Sequence, residues 1–145
     1  MSLDALDEET ECLSRSLTTK MLAVEPTDRP PAVAVLKHPV FWSKDKILAF
    51  LQDVSDRVEK EEGDSAILAA VERGGKAVTK GDWKNWLGTA VATDLRRHRA
   101  YNGRSVRDLL RALRNKKHHF RELSDDIKEH FGENTTEFAN YWTSR

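Results

Sequence analysis

Apolar positions along this chain recur at helical spacing rather than in alternation. In "ECLSRSLTTKMLAV", Leu13, Leu17, Met21 and Val24 form one amphipathic stripe. It stops at "EPTDRPP", where Pro26, Pro30 and Pro31 break a helix and Asp28 favours a turn. "PAVAVLKHPVFW" predicts a short helix that starts near Pro31 and ends before His38-Pro39. Ser43 is the expected N-cap of "KDKILAFLQDVSDRVEKEE", whose Ile47, Leu51, Val54 and Val58 share a face. Ser65 caps a shorter segment with Ile67, Leu68 and Val71, and Gly74-Gly75 is expected to supply a left-handed C-terminal turn. Trp83 and Trp86 are expected core anchors, and "AVATDLRRHRAY" reads as helix with a basic C-terminal half suited to the helix dipole. Asn102-Gly103 signals a turn. Ser105 then opens "SVRD", a capping-box pattern with Asp108 at its third helical position, ahead of a helix from Val106. Two more helices are expected, after Ser124 and after Asn134. The predicted fold class is all-α.

The helix from Val106 carries the densest chemistry, ending in "RNKKHHF". With Val106 at zero and about 100° per residue, Leu109, Leu110, Leu113 and the stem of Lys117 make the core stripe. Arg114, Arg107, His118, Arg111, Asn115 and His119 spread in that order from about 80° to about 220°. Asn115 and His119, four apart, stack on one edge. Such a face suits a phosphodiester, because arginine offers a planar charged fork and histidine exchanges a proton near neutral pH. A solvated charged face is the alternative, with Asp108 tying up Arg107 or Arg111 in surface pairs worth little.

Composition narrows the choice of chemistry. The 145 residues hold 24 Lys plus Arg against 24 Asp plus Glu, so affinity for phosphate has to come from local segregation of charge. One cysteine, Cys12, allows no internal disulfide and no Cys/His zinc pattern, which fits a reducing compartment. No apolar run approaches the ~20 residues of a bilayer span, so any anchor lies outside this stretch. The acidic start lacks a signal-peptide core; residues 1–10 read as a leader or an expression scar. His118 and His119 point about 100° apart on a helix and no "HExxH" accompanies them, so no metal site is expected. His38 and His98 are assigned to packing or solvation, and His130 lies near a helix end. Neither "GxSxG" nor a phosphate-cradling glycine loop is present.

"HPVFW", "FLQDVSDRVEKE", "RGGKAV", "TDLRRHRAYNGRSVRDLLRALRNKKHHFREL" and "YWTSR" closely resemble the nuclease (KEN) region of the inositol-requiring kinase/endoribonuclease, the unfolded-protein sensor of the endoplasmic reticulum. The 2′,5′-oligoadenylate-dependent ribonuclease is a relative, and "RNKKHH" matches the sensor better. "LTTKMLAVEPTDRPPAVAVLKHPVFW" is similar to the last helices of a protein-kinase C-lobe, without the "HRD", "DFG" or "APE" motifs a kinase needs, which leaves Arg29 without its usual partner. The resemblance implies a kinase-lobe remnant over 11–42 and a compact helical ribonuclease domain over 43–145, with further helix expected beyond Arg145. One departure is Ala90-Val91, where the family usually has a proline before "TDL".

The resemblance also implies an activity: RNA cleavage by 2′-hydroxyl attack on the adjacent phosphate, without a metal or other cofactor. ATP or ADP with magnesium would belong to the absent kinase domain. By match, Tyr101 corresponds to the general base, His119 to the general acid, and Arg114 and Asn115 to the residues holding the scissile phosphate. A free tyrosine, with a pKa of about 10, needs neighbouring cations to serve as a base. Arg104, Arg107, Arg111, Lys116, Lys117 and His118 are the candidate RNA contacts. The implied partners are stem-loop RNA, a kinase domain in cis and a second copy paired back to back, with the whole protein at the cytosolic face of the endoplasmic reticulum and no membrane contact by this stretch. A non-catalytic helical dimerisation or RNA-docking module, and an oligoadenylate-type antiviral ribonuclease, stay as alternatives.

Overall fold

A computed structural model describes residues 8–132 and 134–143; the expected leader falls almost wholly outside them, as does the side chain of His98. Nine α-helices and no strand occur among the described residues, so the all-α prediction holds. In chain order they are α1 (Glu8–Met21), α2 (Ala32–Leu36), α3 (Lys44–Val58), α4 (Ala66–Glu72), α5 (Gly75–Thr79), α6 (Thr89–His98), α7 (Val106–His118), α8 (Asp125–Phe131) and α9 (Thr135–Thr143).

Helix α7 is the axis of the molecule. Helix α3 lies along it, α4 and α5 cover its N-terminal end, and α9 packs on α3. Helix α8 bridges α6 and α9. The core joins Leu48, Trp83, Val91, Leu95, Leu109, Leu113, Phe131, Phe138 and Trp142 in one cluster. Val91, fully buried, stands at the departure noted before "TDL"; α6 starts at Thr89 and runs straight through it. Phe131 and Phe138 are packed edge and face with Tyr141 and Trp142, which anchors α8 and α9 to each other through their rings.

The predicted caps form. Ser43 Oγ accepts from Lys46 N at 3.3 Å, and Ser65 Oγ accepts from Leu68 N at 3.5 Å. Three expectations need correction. On α3 the fully buried residues are Leu48, Ser55 and Val58, with Ile47, Leu51 and Val54 half-buried, so the inward face is rotated from the expected stripe. Gly74-Gly75 makes no left-handed turn: Gly74 has φ −91° and Gly75 begins α5. Gly75 is buried because α5 approaches the start of α7, where an added Cβ would sit 3.4 Å from Val106 Cγ2. The left-handed residues are Lys80 (φ 47°) and Gly81 (φ 95°), which end α5. Of the N-terminal stripe only Leu17 is buried, while Met21 and Val24 are exposed. Arg29 bonds the Ala23 and Val24 carbonyls, at 2.9 and 3.4 Å.

Candidate active site

A cleft of about 610 Å³ opens between the end of α6 and the C-terminal half of α7. Tyr101, Asn115, Lys116 and His119 all line it. Asn115 Nδ2 donates to the Tyr101 hydroxyl at 3.1 Å, joining the turn before α7 to its third helical turn. His119 is the C-cap of α7, where its ring is largely exposed; its Nδ1 meets the Glu122 carboxylate at 2.8 Å. A proton on Nδ1 facing that carboxylate leaves Nε2 as the free ring nitrogen. Lys116 is buried and ion-paired with Asp94 of α6, which crosses the cleft floor.

The contiguous basic face expected on α7 is divided by its neighbours. Arg111, Arg114 and Lys116 are buried, not solvated. Arg114 does not line the cleft: it binds Asp56 at 2.7 Å and also Glu59, both on the α3 side. The bond from Arg114 holds Glu59 below the ordinary glutamate range, and the same bond holds Arg114 still more firmly protonated. Arg111 bonds Asp108 at 3.3 Å and the Glu59 carbonyl at 3.5 Å, and Arg107 donates to the Glu61 carbonyl at 2.9 Å. Lys117 donates to Gln52 Oε1 at 2.7 Å. His118 is exposed beside Phe120 and Phe138 in a separate cavity. Arg104 is exposed on the turn, where its backbone N–H donates to Asn102 Oδ1 at 3.0 Å. The reason is geometric: α7 is covered on two sides, so one flank of its basic residues meets Asp56 and Glu59 at the end of α3 and the other meets Asp94 of α6.

Tyr101 is positioned from both directions. Trp83 is fully buried; its Nε1 donates to the Asn102 carbonyl at 3.1 Å, and its ring meets the tyrosine ring edge-on at 6.0 Å. Trp83 N donates to the Gly103 carbonyl at 2.9 Å, and Lys84 Nζ donates to the Tyr101 carbonyl at 3.1 Å. A Cβ at Gly103 would fall 1.8 Å from an Asp82 carboxylate oxygen, so any larger residue there has to displace the Asp82 side chain that caps the turn at Lys84. The predicted capping box is half made: Ser105 Oγ accepts from Asp108 N at 3.2 Å, but the Asp108 carboxylate accepts from Asn102 N at 2.7 Å.

Glu72, at the end of α4, is the residue that sequence reasoning missed. Its carboxylate accepts from Ser105 Oγ at 2.7 Å, Val106 N at 2.9 Å and Arg107 N at 3.0 Å, capping α7 across a gap of more than thirty residues. Burial disfavours its charge, but the Arg107 and Val106 N–H groups and the Ser105 hydroxyl outweigh that and leave Glu72 below the ordinary value of 4.5. A depressed carboxylate adds stability above the unfolded-state value that is lost as pH falls through the folded-state value. Glu72→Gln is therefore expected to unfold at a lower temperature than the parent at neutral pH, by about 0.5–2 kcal/mol of cap stability. The gap should narrow as the pH falls below the unfolded glutamate value of about 4.3 and close once it passes the lower folded-state value. Thermal melts of both proteins across that range measure it; a gap independent of pH would show that the carboxylate charge is immaterial.

The fold and cleft define a class: an all-α domain with a phenol, an amide and an imidazole gathered on one side of a central helix. Residues 47–145 match the family model described as Ribonuclease 2-5A. The serine/threonine-protein kinase/endoribonuclease ire-1 of Caenorhabditis elegans is 48% identical over 133 residues, 92% of this chain and 14% of that protein. The human serine/threonine-protein kinase/endoribonuclease IRE2 is 46% identical over 142 residues, 97% of this chain and 15% of its own length. The Schizosaccharomyces pombe sensor for unfolded proteins in the ER, ire1, is 38% identical over 93% of this chain and 13% of its own. The chain belongs to the Ribonuclease 2-5A family, as the resemblance read from "TDLRRHRAYNGRSVRDLLRALRNKKHHFREL" implied. It spans about a seventh of the length of these relatives.

Proposed function

We propose that this chain is the endoribonuclease domain of a longer sensor kinase, and that it cleaves stem-loop RNA without a metal. The observation that carries the proposal is the convergence on one cleft of Tyr101 with Asn115 and His119, which lie 14 and 18 positions further along the chain. In the proposed reaction Tyr101, as its phenolate, takes the proton of a ribose 2′-hydroxyl and becomes the phenol, and the 2′-oxygen attacks the adjacent phosphorus. The bond to the 5′-oxygen breaks, and His119 supplies that oxygen with a proton. The products are a 2′,3′-cyclic phosphate and a 5′-hydroxyl. Asn115, bonded to the phenol, is positioned to donate to the phosphorane oxygens as charge develops there. The Glu122 carboxylate holds the Nδ1–H, so that in the protonated ring the Nε2–H is the proton supplied to the leaving oxygen.

The wider setting belongs to the same proposal: residues 43–145 as the nuclease domain, 11–42 as the end of a kinase lobe, a kinase in cis, back-to-back pairing, and the cytosolic face of the endoplasmic reticulum. It is supported by the kinase/endoribonuclease names of the relatives and by a family match that begins at residue 47. Among the described residues no helix is long and apolar enough to cross a membrane. The test is incubation with a stem-loop RNA in excess chelator across a range of protein concentration. Cleavage to a cyclic-phosphate end is expected, rising faster than linearly with protein if pairing assembles the site. RNA binding without cleavage at any concentration would leave a docking module instead, and equal cleavage of unstructured RNA would point to the oligoadenylate-type enzyme.

A further inference from the structure

The cleft contains more positive charge than its named residues use. Besides Lys116, it is lined by Arg97, in the last turn of α6, and Arg99, the C-cap of that helix. The two carboxylates of the cleft are committed: Asp94 pairs with Lys116, and Glu122 meets His119. Arg97 and Arg99 are exposed, and neither guanidinium makes a hydrogen bond or an ion pair within 4 Å with any described residue. Asp126 feels Arg97, and Glu59 feels Arg99, only through space. Arg114, by contrast, spends its fork on Asp56 and Glu59 and faces away from the cleft. A cleavage site for a polyanion thus has its uncommitted cations on α6, not on α7.

We propose that Arg97 and Arg99 grip the RNA backbone phosphates flanking the cleaved bond, the contact that sequence similarity alone assigns to Arg114. The proposal rests on the nuclease reading above and adds the residues that hold its substrate. An exposed, unpaired guanidinium keeps both of its parallel N–H donors for a phosphate and gives up no internal ion pair on binding. Arg99 leaves the helix in extended conformation (φ −164°, ψ 148°) two residues before Tyr101, so its backbone continues directly into the strand of chain that carries the proposed base. Arg96, exposed on the same helix but not lining the cleft, is the internal control.

The experiment uses the whole chain and a stem-loop RNA carrying a 2′-deoxy sugar at the cleavage position, so that binding is read without turnover. Affinity is measured over a range of salt for the parent and for Arg96→Gln, Arg97→Gln, Arg99→Gln and Arg99→Lys. Each released phosphate contact should reduce the slope of log affinity against log salt by about 0.7–0.9. Arg97→Gln and Arg99→Gln are expected to show that loss, with KM on the cleavable RNA rising more than kcat falls. Arg99→Lys is expected to retain the slope, and Arg96→Gln to match the parent throughout. Parental slopes in both cleft variants would overturn the proposal, as would an equal loss in Arg96→Gln. Parental binding without cleavage would sink the nuclease reading while the slopes still decide this one; no RNA binding by the parent overturns both.

Discussion

Replacing His119 with asparagine is expected to lower kcat on a stem-loop RNA by about 10²–10⁴-fold while leaving RNA affinity and the unfolding midpoint close to those of the parent. The size follows from removing a positioned proton donor, which contributes about that much. The absence of a stability effect follows from geometry. His119 ends α7 with its ring largely exposed, and its one side-chain bond, to Glu122, joins two exposed groups. The cap of α7 at this end is made by the backbone, His119 N donating to the Asn115 carbonyl at 3.1 Å, and a side-chain change leaves that intact. A substrate with sulfur in place of the departing 5′-oxygen separates an acid from a merely nearby base. A thiolate leaves without needing a proton, so the variant should cleave it at nearly the parental rate. A variant equally crippled on both substrates would exclude His119 from protonating the leaving group.

Local features of the fold were legible because the signal and its effect lie within one turn of helix. Ser43, Ser65 and Ser105 each cap the helix that their position predicts, the helical period placed α1, α3 and α7, and α8 and α9 start directly after Ser124 and Asn134 as expected. What was not legible depends on partners far along the chain. Glu72 reaches Ser105 across 33 positions, and Arg114 reaches Asp56 across 58, so a projection of α7 alone shows charge but not where the charge is spent. The same limit explains the glycine pair. Gly74-Gly75 has the composition of a helix stop, but Gly75 answers to Val106, which the local sequence cannot reveal. At the site, the helical stacking of Asn115 and His119 was readable as a four-residue interval and both line the cleft. Tyr101 entered only through the family pattern, since nothing in "RAYNG" shows that a buried tryptophan eighteen positions earlier fixes the ring beside Asn115. Arg97 and Arg99 looked like dipole complements at a helix end; only the folded chain shows them facing a cleft.

That tryptophan gives the second large effect. Trp83→Ala removes a fully buried indole from the core cluster and is expected to cost about 3–5 kcal/mol, a large share of the ~5–15 kcal/mol that holds a domain of this kind together. Urea denaturation should show a much lower midpoint or no folded baseline, which by itself says only that Trp83 is core. Trp83→Phe separates packing from positioning. It keeps an aromatic body under Tyr101 but deletes the indole N–H that donates to the Asn102 carbonyl. The Asn102 carbonyl keeps its bond from Ser105 N at 3.1 Å, so losing the indole bond costs about 0.5–1.5 kcal/mol and this variant stays folded in mild conditions. The turn it loosens carries Tyr101, and a misplacement of the order of 1 Å in a reacting group costs roughly a hundredfold. Turnover of Trp83→Phe, measured where its circular dichroism matches the parent, is expected to fall ten- to a hundredfold with RNA affinity largely retained, because the proposed phosphate contacts of Arg97 and Asn115 lie on α6 and α7. Parental turnover in a folded Trp83→Phe would mean that the Lys84 and Asp108 bonds to the turn hold the phenol in place without the indole, and that Trp83 contributes only to the core.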